Sequence, residues 1–451
     1  MSGHTPDVSA IIESIPSRKV PAPVLFAGIG AMVLGVGGFI LGLTRDPVWA
    51  WGALLVALVY TMALVQGGVI FSAISTLTWA RWSQPLRRVA ESFGAAWLVL
   101  YPIFLLFLVF GLKVFPWHPN TIVDGGQVSL AAHSGAVLFE SKPFWLSPST
   151  FLVRQAVGVL FLAGLSLLYI RASLRPDMIL AKARLGDRAP AWWGSLIGGA
   201  GSLEAEIDKG QNRQTFLAGA IVITYAIVMS LVGFDLIMSL APHWYSNMFG
   251  GWFASSSYWL SMQAIGLFSL VARDWLGLKG WIKLKTTHDL GKMILAFTMA
   301  WAYMTFAQLM PIWYTNMPEE TSFLMLRFDT PWSWLTQTVA VMCFLMPFTV
   351  LVSRGIKKMR GPFAALLACM MTGVFLERTL LIMPSIYKGD TFPVADFLLV
   401  SIPVWLGMLG LFVTFVTQFI SRVPTLPVSE PKLADHPWDV HAHSLDSHST
   451  H

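Results

Sequence analysis

The sequence predicts an all-α integral membrane protein of about ten transmembrane helices, and three observations carry that reading. First, 55% of residues are hydrophobic and 12% charged, with 20 Trp, 30 Phe and a mean hydropathy of +0.63, which excludes an ordinary water-soluble globule. Second, the apolar residues form ten segments, at 24–43, 48–78, 95–115, 150–172, 215–240, 251–272, 290–311, 332–353, 362–383 and 393–420. A hydrocarbon core about 30 Å thick needs roughly 20 such residues per helix. Third, placing both termini in the cytoplasm puts 22 of the 30 Lys and Arg residues inside, and only Arg45, Lys142, Arg327 and Lys388 in outer connections. That bias supports an even number of spans. The net charge of +6 then needs no nucleic-acid partner; the lipid bilayer is the expected surroundings.

Taken in order, residues 1–23 form a cytoplasmic tail in which Arg18 and Lys19 precede the first apolar run. Val24 to Leu43 is longer than a signal-peptide core and lacks a small-residue cleavage site, so residues 24–47 read as a retained peripheral helix. Helices 2 to 5 occupy 48–245, with a long outward connection at 116–149 and a long inward one at 174–213. Connections of that length are functional or disordered, and suit docking. Helices 6 to 9 occupy 246–386, and helix 10 lies peripherally in 387–420. Cys343 and Cys369 fall inside helices 8 and 9 and read as packing residues. Residues 421–451, rich in Pro and His and without an apolar period, read as a disordered cytoplasmic tail.

An internal repeat organises these helices. Gln66, Phe71 and Ser72 of helix 2 recur as Gln263, Phe268 and Ser269 of helix 6, 197 residues later. PWHPN at 116–120 is echoed by PIWYTN at 311–316, and Asp235 with Pro242 by Glu377 with Pro384, each carboxylate seven residues before its proline. An offset of four helices preserves chain direction, so the expected arrangement is two four-helix bundles in parallel repeat plus two peripheral helices.

Ionisable and amide side chains within hydrocarbon are costly and are candidates for function. In the expected topology Asp235, Gln308, Glu377 and Arg378 lie in the outer half, with Arg154 and Asp396 near the outer starts of helices 4 and 10 and His243 in the outer loop APHWYSNMFG. A second group, His288, Asp289 and Lys292 with Gln66 deeper in helix 2, lies toward the cytoplasm. Proton acceptors and part of a polar path are one use for them. Structural ion pairs, Arg154 with Asp235 or Arg378 with Asp396, are the other, as is snorkelling for Lys292 and interhelical hydrogen bonding for Gln66. Glu377 and Arg378 project about 100° apart on a helix, which favours partners on other helices.

None of the ten histidines lies mid-span, and there is no C-x-x-C-H, cysteine run or Walker A sequence. Haem and iron-sulfur ligation and ATP-driven transport are therefore not expected of this chain, nor is any metal site. The residues alone leave a redox-complex membrane subunit and a secondary transporter with a midplane site as open alternatives; GVGG at 35–38 and Pro347 are the candidate helix breaks for the latter.

The segments APHWYSNMFG (241–250) and HDLGKMILAFTMAWAYMTFAQLMPIWYTNMPEET (288–321), together with ten helices and no haem ligands, resemble the NrfD/PsrC-like membrane subunits of bacterial alternative complex III, a quinol:cytochrome c oxidoreductase. The resemblance covers nearly the whole membrane region and is greatest to the second such subunit, ActF. It implies quinol or menaquinol oxidation near the outer face. Electrons would pass to iron-sulfur clusters and c-type haems in an iron-sulfur subunit and multihaem cytochrome subunits. The resemblance further implies a paralogous NrfD-like neighbour, to which the family's quinol pocket is assigned. Within such an assembly this chain is not catalytic alone. Asp235, Glu377 and His243 would be its proton acceptors near quinol, and Asp289, Lys292, Gln308, Glu377 and Arg378 a possible proton path on an otherwise structural scaffold.

Overall fold

In the computed structural model, which describes residues 8–119, 143–199, 201–241, 244–387 and 389–430, the chain is an all-α integral membrane protein with no strand among the described residues. Ten long helical elements follow one another: α1 Ala22–Arg45, α2 Pro47–Leu77, α3 in two pieces Gln84–Gly94 and Trp97–Phe110, α4 Pro148–Leu185 and α5 Leu203–Leu236. The second series is α6 Phe249–Ala272, α7 Leu284–Thr315, α8 Ser333–Val352, α9 Arg360–Ile386 and α10 Val394–Ser421. Nine of these are long and apolar enough to cross a membrane among the described residues; the tenth, α6, carries Ser255, Ser256, Ser257, Ser261 and Ser269 and lies mostly within the protein. The two ends of the described chain lie on one face, where the Arg18 Nη1–H group donates to the Val423 carbonyl at 3.3 Å. We refer to this as the terminal face.

Local chemistry sets the joints. A single residue, Asp46, separates α1 from α2, and its carboxylate accepts from the Val48 and Trp49 N–H groups at 2.9 and 3.1 Å while Pro47 fills a position that needs no donor. α7 ends at Asn316, which adopts the left-handed conformation (φ 49°, ψ 39°) common at helix C-termini, and Pro318 opens a short helix to Phe328. α8 and α10 each contain a π-helical turn, Val341–Leu345 and Phe397–Ser401, ending two residues before Pro347 and Pro403. A proline inside a helix removes one backbone donor, and the widened turn absorbs the mismatch without breaking the span.

α2 is the spine. Nearly all its side chains are buried, and it packs against α3, α5, α6, α9 and α10. α2 to α5 contact one another, as do α6 to α9, and the two groups meet along α2–α6, α2–α9 and α5–α6. At the α2–α6 crossing the Ser261 hydroxyl donates to the carbonyls of Ala63 and Leu64, at 2.7 and 3.2 Å, above Gly67. Leu64 and Ser261 are the positions that the 197-residue offset makes equivalent, so the two repeat units touch through matching residues, as a two-fold contact requires.

α1 packs chiefly on α10. GVGG is not a break in α1. A Cβ on Gly35 would stand 2.7 Å from the Gly407 Cα, and one on Gly407 equally close to the Gly35 Cα, so the two backbones touch. Close approach through glycine is a common way for helices to associate in lipid, where no hydrophobic drive separates helix from solvent.

Several boundaries differ from the sequence expectation, for reasons of chemistry. The connection expected at 174–213 is largely helix, because α4 and α5 continue past the apolar layer: at 38 and 34 residues they run about 57 and 51 Å. Their extensions hold each other through Arg175 Nε and Glu206 Oε2 at 2.7 Å, and through Pro176 packed on Gly210. Residues 80–94, expected as a basic loop, form the buried first piece of α3. The tail expected to be disordered from 421 is packed as far as 430, with Val423, Thr425 and Leu426 fully buried. Residues 431–451, most of the 116–149 connection and His243 lie outside the described residues. The N-terminal tail contains a short helix, Val8–Glu13, that buries Ile11 and Ile12.

The α1–α10 contact yields a test with an internal control. Gly35→Val should destabilise the purified protein by about 1–3 kcal/mol by overpacking, whereas Gly30→Val, with nothing within 4 Å of the new Cβ, should leave the unfolding midpoint nearly unchanged.

Candidate functional site

Two buried carboxylates lie toward the face opposite the termini, one in each bundle, and they are partnered differently. In the first bundle Asp235 of α5 is closed in. Its oxygens accept from Arg154 Nε at 2.8 Å, from Trp145 Nε1 at 3.2 Å and from the Gln155 amide, while the Arg154 guanidinium lies 3.9 Å over the Trp145 ring. The pair joins α4 to α5 and fills the space around itself. Of the two pairings expected from sequence, this one forms.

The other does not. Asp396 is bonded to Arg45 at 2.7 Å, tying the start of α10 to the end of α1, and Arg378 turns inward instead. Arg378 is fully buried, donates from Nη2 to the Ser256 hydroxyl of α6 at 2.6 Å, and lies 4.5 Å over the Phe253 ring. Its Nη1 stands 3.0 Å from Glu377 Oε2, so neighbouring residues do form an ion pair, contrary to the expectation from their 100° separation. Long side chains curl back across that angle. The geometry is off the hydrogen-bonding line, however, and leaves Arg378 Nη1 and Glu377 Oε2 without a hydrogen-bond partner.

Glu377 lines a chamber of about 230 Å³ in the second bundle. α7 supplies Trp301 and Gln308, the loop before α6 supplies Trp244, and the helix Pro318–Phe328 supplies Phe323 and Arg327. Trp301 Nε1 donates to Glu377 Oε1 at 2.6 Å, and Gln308 Oε1 accepts from the Ser246 hydroxyl at 3.0 Å. The Trp244 and Phe323 rings stack at 3.9 Å, nearly parallel. The Arg327 guanidinium covers Phe323 at 3.4 Å and donates to the carbonyls of Phe323 and Leu381 and the Ser385 hydroxyl. Burial pushes Arg327 down to about 9, which still leaves it cationic at neutral pH. Phe328 and Ala340, also on the lining, are exposed, so the chamber reaches the flank of the bundle between α7 and α8.

Three buried polar atoms on residues of this lining have no hydrogen-bond partner: Trp244 Nε1, Arg327 Nε and Glu377 Oε2. Leaving such an atom unpaired costs about 1–3 kcal/mol. Two donors and one carboxylate oxygen, set among flat apolar rings, suit a planar molecule with oxygens that both accept and donate. Arg327 escaped the sequence reading because a single cation in a presumed loop gives no sign that its helix folds back into the bundle.

The remaining candidates stand apart from this chamber. Gln66 is buried in the first bundle, its Oε1 accepting from Trp97 Nε1 at 2.8 Å and the Ser166 hydroxyl at 3.0 Å. Asp289 and Lys292 pair at 2.8 Å in the first turns of α7, beside half-buried His288. From Lys292 to Gln308 is about 24 Å along the helix. A further buried network was not foreseen: Arg87 and Arg88 of α3 share Glu91, and Arg88 also meets Asp177 of α4. The chain's own C-terminal segment closes it, with the Ser429 N–H on Asp177 at 2.7 Å and Glu430 on Arg87 at 3.2 Å. Its residues read from sequence as a positive loop and a solvated tail.

No family model matches the chain, and no curated protein matches it. The contrast between the two carboxylates gives an expected outcome. Asp235→Ala leaves the part-buried Arg154 charge without its carboxylate and should cost about 3 kcal/mol, read as loss of folded protein on detergent extraction, whereas Asp235→Asn should retain most of it.

Proposed function

We propose that this chain is a membrane subunit of a bacterial respiratory quinol:cytochrome c oxidoreductase of the alternative complex III type, and that the Glu377 chamber receives the quinol ring. In this reading the terminal face is cytoplasmic, in keeping with the 22 basic residues that the sequence assigns to that side, and the chamber lies in the outer half of the membrane. The observation that carries it is Glu377 Oε2, ion-paired with Arg378 but accepting no hydrogen bond, on an aromatic-lined space that reaches the flank of the bundle.

Oxidising a hydroquinone removes two protons and two electrons. Glu377 is positioned as acceptor for the first hydroxyl proton, since its Oε1 is already held by Trp301 and its Oε2, beside the Arg378 guanidinium, accepts no hydrogen bond. A carboxylate oriented in this way and shielded from water is suited to general-base work. The Trp244 and Arg327 N–H groups, which lack hydrogen-bond partners, would hold the other ring oxygen as it becomes a carbonyl, its proton passing to water at the outer face, with Arg327 adding a fixed positive charge. The electrons leave for iron-sulfur clusters and c-type haems of partner subunits, with the paralogous membrane subunit beside this chain. Asp235, closed in by Arg154, Gln155 and Trp145, serves as a structural joint.

Glu377→Gln keeps the Trp301 bond and the side-chain volume while removing the base. Quinol:cytochrome c turnover in the assembled complex should fall about 100-fold or more, with subunit composition on native gels unchanged. Normal turnover would remove Glu377 from the chemistry. Purification of the tagged chain as a lone species that binds a small solute, without cytochrome or iron-sulfur subunits, would favour a secondary transporter instead.

A further inference from the structure

At the terminal face, the first turns of α7 and the connection from α8 to α9 bring together more positive charge than the protein neutralises. His288, Asp289 and Lys292 stand on α7, and Arg354 and Lys357 on the connection; His288 lies in the field of all four others. Asp289 is the one carboxylate among them, and it is taken by Lys292. No ion pair or hydrogen bond is formed by Arg354 or Lys357 among the described residues.

A positive fringe at a membrane boundary is ordinary, because Lys and Arg side chains there extend their heads into water. Lys357 is packed more closely than that. It is only 4% exposed, and its stem lies along Gly291 of α7 so closely that a Cβ there would come within 2.6 Å of its Cδ. The His288 Nδ1 beside it is buried without a partner. Burial pushes the Lys357 ammonium below its usual range, and the charges of Lys292 and Arg354 push it further the same way. An ammonium held by a packed stem among like charges is costly unless an anion from outside the chain completes it.

We propose that Lys357, Arg354 and His288 form a binding site for the headgroup phosphate of an anionic phospholipid. The position selects this source of phosphate. α8 ends at Val352 and α9 begins at Arg360, so Lys357 and Arg354 lie where the chain turns at the end of two spans, at headgroup depth. Basic pockets between transmembrane helices at this level are suited to such headgroups. A bound phosphate pairs with Lys357 and Arg354, accepts from the imidazole, and pins the start of α7, the helix that carries Trp301 and Gln308 to the chamber. The site is independent of what the chamber binds.

The full chain, extracted with the subunits that accompany it and stripped of lipid in detergent, provides the test by native mass spectrometry and thermal unfolding. Phosphatidylglycerol should bind and raise the unfolding midpoint, whereas phosphatidylcholine and inorganic phosphate should not. Lys357→Met, which preserves the stem on Gly291, combined with Arg354→Gln should weaken phosphatidylglycerol binding about thirtyfold, roughly fivefold for each cation. If the double variant does not fold, the exposed Arg354→Gln alone should show the smaller loss. Equal stabilisation by phosphatidylcholine, full effect from inorganic phosphate alone, or unaltered phosphatidylglycerol binding in the variants would each overturn the proposal.

Discussion

The fold depends on one constraint met at one place: within hydrocarbon, polar groups have to find partners inside the protein, and α2 and α6 do so against each other. The Ser261 hydroxyl on the Ala63 and Leu64 carbonyls, over a glycine that lets the helices approach, fixes the crossing around which both bundles assemble. With α2 enclosed on every side, the remaining helices are placed by what they cover, and α1 is left to seal the outside through its glycine contact with α10. That crossing also sets where the two bundles can differ without disturbing each other.

The difference between them shows at matched positions. In the first bundle Gln66 Oε1 is bonded by Trp97 and Ser166, though Gln66 Nε2 has no partner, Asp235 is bonded by Arg154, Gln155 and Trp145, and Trp117 is buried with its N–H on Ser239. The second leaves more of the corresponding atoms open. Both amide atoms of Gln263 lack partners, Glu377 Oε2 accepts no hydrogen bond, and Trp313, the counterpart of Trp117, is 79% exposed. A half whose outer carboxylate is closed in by three donors can act as scaffold, and a half whose carboxylate lines a chamber holds room for a ligand. Divergence of this kind is what a duplicated unit needs if one copy is to take on binding while the other keeps the structure.

How much of this was legible follows from which property each feature rests on. The spans and the alternation of basic connections were readable because apolar length and charge are local quantities. The ends of α4 and α5 were not, since a helix continues past the hydrocarbon wherever another helix supports it, and Arg175 with Glu206 lie 31 positions apart. Arg154 with Asp235 could be matched because both stood near the same face; Asp396 found Arg45 instead because α10 packs on α1, a contact that no pattern in either helix announces. Glu377 and Gln308 were singled out as costly residues within apolar spans. Arg327, Trp244 and the Arg87–Arg88–Glu91–Asp177 network were passed over, because only the tertiary fold carries a loop cation or a tail residue into the interior.

The proposal that the chamber receives quinol is tested most directly by photoaffinity labelling of the protein with whatever subunits accompany it, using an azidoquinone, followed by peptide mapping. Label should appear on peptides that line the chamber, around Trp244, between Trp301 and Arg327, and around Glu377, and be suppressed by excess quinol. Label confined to partner subunits, with none competed from these peptides, would contradict it.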